Sequence, residues 1–66
     1  MKWERLSEYR FEAMDGRLRY VVRYRKHEQR WRITFGGVAI GLREGFGTIG
    51  AALEYVEHGG EPPRMD

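Results

Sequence analysis

The chain reads as an α+β domain: an antiparallel meander of three to four strands with one C-terminal helix packed on one face. Three observations predict it. The stretch Arg17–Arg25 alternates, so a strand there sets Leu18, Tyr20, Val22 and Tyr24 on one face and Arg17, Arg19, Arg23 and Arg25 on the other. Two dipeptides that favour two-residue hairpins, Asp15-Gly16 and Gly36-Gly37, separate alternating runs. After them, Thr48 precedes a segment whose apolar residues recur at helical spacing.

Taken in order, Met1–Ser7 holds Trp3 and Leu6 among charges and reads as a short helical turn or the start of the first strand. Tyr9–Met14 alternates, with Tyr9, Phe11 and Ala13 opposed to Arg10, Glu12 and Met14. A type I′ turn at Asp15-Gly16 would set Ala13 opposite Leu18, Glu12 opposite Arg19, Phe11 opposite Tyr20, Tyr9 opposite Val22 and Glu8 opposite Arg23. Apolar then meets apolar, and both glutamates meet arginines. Lys26–Arg30 is a polar loop, and Trp31–Phe35 alternates again. Across Gly36-Gly37, Phe35 would face Val38, Ile33 would face Ile40 and Trp31 would face Leu42, all on one face; Gly41 loosens this last strand. Arg43–Gly47 is a glycine-bearing link. Ile49–His58 is a helix with Ile49, Ala52, Leu53 and Val56 on one stripe, and it ends at Gly59-Gly60. Residues 1–60 form one domain, with 61–66 as a tail.

The 66-residue chain sits near the lower size limit for a self-supporting core, and with no cysteine it has neither disulfides nor a thiolate zinc site. Two Trp, four Tyr and three Phe must supply the burial. A ten-residue helix, about 15 Å by 10 Å, covers only about half of a four-stranded sheet roughly 17 Å by 19 Å. Trp3 and Leu6 folding back, or a second copy in a homodimer, would cover the remainder. No run has transmembrane length or signal-peptide character, so the expected location is cytoplasmic.

The net charge is +2, but residues 10–32 hold eight basic and three acidic side chains, and the remainder four basic and seven acidic. Ten of the twelve cations are arginine, whose guanidinium makes forked contacts to phosphate or carboxylate. The candidate binding residues are Arg10, Arg17, Arg19, Arg23, Arg25 and Arg32 on one sheet face, offset by Glu12. A solvated strand face that resists aggregation is the plainer explanation of the same pattern. Their partner would be DNA or RNA, or a host nucleoprotein or defence complex, with no membrane involved.

Other motifs point to no chemistry. Gly45-Phe46-Gly47-Thr48-Ile49-Gly50 matches G-x-G-x-x-G, but no parallel βαβ unit surrounds it, so it reads as an entry to a helix and no cofactor is expected. His27 and His58 lack further ligands at metal spacing, and Ser7 is the only serine. Neither a metal site nor an enzyme is expected.

The residues Trp31-Arg32-Ile33, Ile40-Gly41-Leu42 and Thr48-Ile49-Gly50-Ala51-Ala52-Leu53 give residues 17–58 a layout that resembles the arm-binding domains of phage integrases and the plant AP2 type of DNA-binding domain. In those families the sheet contacts DNA, which would implicate Arg17, Arg19, Arg23, Arg25 and Arg32. The glycine hairpin at Gly36-Gly37 and the segment Arg43–Gly47 depart from the pattern, and no recombinase catalytic domain follows. In size and style the chain also resembles small phage proteins that inhibit host defence, such as anti-CRISPR proteins. That likeness would make it a phage-encoded inhibitor acting in the host cytoplasm by protein contact.

Overall fold

A computed structural model describes residues 2–58. Its order is β1 (Glu4–Ser7), β2 (Arg10–Asp15), β3 (Leu18–Arg25), β4 (Arg30–Phe35), β5 (Val38–Ile40) and α1 (Ile49–Glu57). The strands form one antiparallel sheet in sequential order, with β1 and β5 as its two edges. The α+β class is as expected, with one strand more than expected: the N-terminal segment, open between a helical turn and a strand, is β1. It pairs Glu4 with Glu12 and Arg5 with Phe11, then bulges before Ser7 meets Arg10. The Ser7 hydroxyl accepts the Tyr9 N–H at 3.1 Å within the intervening turn.

The first hairpin corrects the expected register. Asp15 pairs with Leu18, so Gly16 and Arg17 are the two loop residues; Phe11 faces Val22 and Ala13 faces Tyr20. The reason is backbone sterics. A type I′ turn at Asp15-Gly16 needs positive φ at Asp15, whereas Gly16, at φ +65°, is the residue here that adopts it. Sliding the turn along brings glycine to its first central position. The slide moves the pairing by two residues, so every side chain keeps its face. The second hairpin has the expected register through Phe35–Val38 and Ile33–Ile40, with Gly36 and Gly37 at φ +59° and +85°.

Beyond Ile40 the expected pairing of Trp31 with Leu42 gives way to Trp31 with Phe46. The Trp31 N–H donates to the Phe46 carbonyl at 2.7 Å, and the Phe46 N–H donates back at 2.9 Å. Gly41 makes this possible. Its φ is +96°, which turns the chain out of β5, and a Cβ there would lie 2.8 Å from the Phe46 ring. The ring therefore takes the space that a side chain would fill, and Leu42 is left exposed.

The core is Tyr20, Val22, Trp31, Ile33, Phe46, Ala52 and Val56. Aromatic pairs extend it: Tyr20 stacks on Phe35 at 4.1 Å, Tyr24 tilts on Trp31 at 5.2 Å, and Phe46 meets Tyr55 of α1 at 5.2 Å. The helix packs against β3 and β4. Its N-cap is Thr48, as expected, with the hydroxyl accepting the Ala51 N–H at 3.1 Å. His58 is the C-cap; the expected stop at Gly59-Gly60 and the tail lie outside the described residues.

The helix leaves part of the apolar face uncovered. Trp3 covers some of it, lying 6.4 Å from Tyr20, with its indole N–H buried and unpaired. Leu6 does not fold back and is exposed. Leu18 and Val38 remain 47% and 66% exposed at the end of the sheet that carries the two tight hairpins. Among the described residues, no helix is long and apolar enough to cross a membrane.

Candidate nucleic-acid interface

The face opposite the helix is built by strand parity alone. The residues alternating with the core positions of β2, β3 and β4 are Arg10, Glu12 and Met14; Arg19, Val21, Arg23 and Arg25; and Arg30, Arg32 and Thr34, with Ala39 from β5. The register then decides which of them are neighbours. Arg10 lies directly opposite Arg23, and Arg23 directly opposite Arg32, so three arginines form a row across three adjacent strands. The next row toward the β3–β4 loop pairs Arg25 with Arg30. Five guanidinium groups thus start from two adjacent rows about 7 Å apart, on strands about 4.8 Å apart.

This arrangement has an energetic cost. Like charges directly opposite on an antiparallel pair destabilise it, whereas the expected register would have opposed glutamates to arginines. Two carboxylates relieve part of the repulsion. Glu12 accepts from Arg10 Nε at 2.8 Å and meets Arg19 Nη1 at 3.2 Å, so one half-buried side chain bridges two arginines. Glu28 accepts from Arg32 Nε at 2.8 Å, and Arg32 Nη1 also donates to the Arg43 carbonyl. The hydrogen bond and charge of Arg32, with a smaller effect of Arg25, hold the Glu28 carboxyl below its ordinary range. Among the described residues, Arg17, Arg23, Arg25 and Arg30 form no ion pair.

Of the six expected site residues, Arg10, Arg23, Arg25 and Arg32 come together. Arg17 sits in the β2–β3 turn, and Arg19 stands four residues along β3 from Arg23, about 13 Å away. Between these two groups runs a strip of Glu12, Val21, Thr34 and Ala39. Arg30, expected in the polar loop, is the first residue of β4 and belongs to the cluster. The alternation Arg30, Arg32, Thr34 was the signal for it, hidden because the segment before Trp31 is wholly polar.

Of the glycines in the G-x-G-x-x-G match, Gly45 serves packing: it lies against Arg30 and the Trp31 carbonyl, where a Cβ would sit 2.9 and 3.0 Å away, and this seats Phe46 on β4, whereas Gly50 has open space where a Cβ would stand. Among the described residues, no three His, Asp or Glu side chains gather as metal ligands. Comparison with protein families, with curated proteins and with solved structures finds no match to this chain.

Proposed function

We propose that the arginine face binds nucleic acid through phosphate contacts, making the chain a non-enzymatic binding module of the phage or mobile-element type. The observation that carries this reading is the Arg10–Arg23–Arg32 row with Arg25 and Arg30 beside it. A face kept only for solubility gains nothing from opposing like charges across three strands. A polyanion turns the same repulsion into binding energy, because each guanidinium can fork onto a phosphate and release its counterions. The row also joins residues from three strands, so only the folded protein presents it.

The test is fluorescence anisotropy with labelled oligonucleotides across a salt titration. Five phosphate contacts on duplex DNA give a slope of about −4.5 in log K against log salt, with dissociation constants of roughly 10⁻⁶–10⁻⁴ M at physiological salt. No binding at low salt overturns the proposal.

A second reading, a protein inhibitor of a host defence complex, is favoured by a different observation. Leu18 and Val38 stand exposed on the apolar face, at the hairpin end, where they could anchor a partner. It predicts a specific host protein that is captured after nuclease treatment and lost on Leu18→Ser with Val38→Ser.

A further inference from the structure

We infer that the nucleic acid this face takes is B-form duplex DNA, held by both backbones across the major groove and without reading of sequence; the inference rests on the proposed function above. Five strands at about 4.8 Å span roughly 19–24 Å, whereas the major groove is about 12 Å wide and admits a helix or a two-stranded ribbon. This sheet cannot enter the groove face-on, so it must lie across it.

The charge layout suits that placement. The arginines fall into two groups along β3. The five-residue cluster is centred near Tyr24, and Arg17 and Arg19 lie at the other end. The separation, five to seven residues of extended chain, is about 17–23 Å. That is the groove width plus part of the phosphate ridge on each side. Between the groups, over the groove, lie Val21, Thr34 and Ala39, with Glu12 and, at the β1 edge, Glu4 opposite it. A carboxylate beneath a phosphate ridge would repel it; in the gap between ridges it is tolerated, and there it holds Arg10 and Arg19 as ion pairs at the inner edges of the two groups.

Two more features agree. At the Arg17 end a shallow hollow is lined by Arg17 and Arg19 together with Met14, Leu18, Val21, Thr34, Gly36 and Gly37, and at Gly37 open space lets a ridge approach the backbone. The face also carries no aromatic side chain on β2, β3, β4 or β5. Sheets that bind single strands stack bases on exposed aromatics, and every tyrosine, tryptophan and phenylalanine of these strands faces the helix side instead.

The experiment compares the full chain with Arg17→Ala/Arg19→Ala and Arg17→Lys/Arg19→Lys, using two 16-base-pair DNA duplexes of unrelated sequence and one of their single strands. The unaltered protein should bind both duplexes within about 3-fold of each other and the single strand at least 10-fold more weakly. Seven contacts make the slope of the unaltered protein on duplex about −6.3; the alanine pair should lower duplex affinity by roughly 10- to 60-fold at 0.1 M salt and flatten the slope by about 1.8, back to the −4.5 of the five-arginine cluster alone. It should leave the single-strand affinity within 2-fold, and the lysine pair should restore most of the loss. Equal binding of single strand and duplex overturns the inference while leaving the proposed function standing, as does an alanine pair that binds duplex normally. A protein that binds no probe overturns both.

Discussion

Replacing Arg23 with threonine should stabilise the fold and weaken ligand binding in the same protein. Arg23 stands between Arg10 and Arg32, directly opposite each. A directly opposed like-charge pair costs about 0.2–1 kcal/mol, so removing the shared member relieves roughly 0.4–2 kcal/mol. The structure argues for the lower part of that range, because Glu12 draws Arg10 aside and Glu28 draws Arg32 aside, each at 2.8 Å. Threonine is a favourable strand residue and adds a few tenths at most. A net gain of about 0.5–1 kcal/mol raises the melting temperature of a domain this size by roughly 2–8 °C. The assay is thermal unfolding by circular dichroism at low salt and in 1 M NaCl, where the screening length falls to about 3 Å and the gain should shrink. Arg17→Thr, placed in a turn with no opposing cation, is the control and should leave the melting temperature unchanged. In the same preparations Arg23→Thr should lower duplex affinity about 8-fold at 0.1 M salt, the value of one phosphate contact. A loss of stability, or a gain that persists undiminished in 1 M salt, refutes the reasoning that this row is strained by its charge.

Three further outcomes are expected. Since the Arg32 hydrogen bond lowers the folded-state Glu28 pKa, that bond stabilises the protein fully above the ordinary carboxylate range and is lost as pH falls through the lowered value. An NMR titration of the Glu28 side chain should therefore have its midpoint below 4.5, and Glu28→Gln, by strengthening the contact Arg32 already makes, should tighten duplex binding by less than the roughly 8-fold of a whole contact at 0.1 M salt. Phe46→Ala removes the ring that packs over Gly41 and Tyr55, at a cost of about 3–5 kcal/mol. Against a total of roughly 3–10 kcal/mol for a chain of this length, urea unfolding should find the variant marginal or unfolded. Trp3→Phe should change stability by less than about 1 kcal/mol, because the lost ring area is offset by removal of a buried N–H that has no acceptor; a loss near the 3–5 kcal/mol of a core aromatic would show that the indole is paired in solution.

The α+β class, the second hairpin, the first hairpin to within one residue, the Thr48 cap and the division of β2, β3 and β4 into an apolar and an arginine face were legible in the sequence. The reason is local: strand side chains alternate with a period of two, so composition alone assigns each to a face. Register is a different matter. A slip of two residues preserves every face, so hydrophobic patterning cannot choose between Glu8 and Arg10 as the neighbour of Arg23. The turn chooses, and it does so through the single positive φ of Gly16. That choice replaces the expected Glu8–Arg23 neighbours with Arg10–Arg23, and the separate β3–β4 register completes the row with Arg32. The return of Phe46 to Trp31 and the covering of Tyr20 by Trp3 likewise depend on contacts distant in the chain, which no local period encodes. Alternation along the chain establishes that there is an arginine face; which arginines stand together on it follows from the folded sheet, because proximity across strands is set by the geometry of the connections and alternation is blind to it.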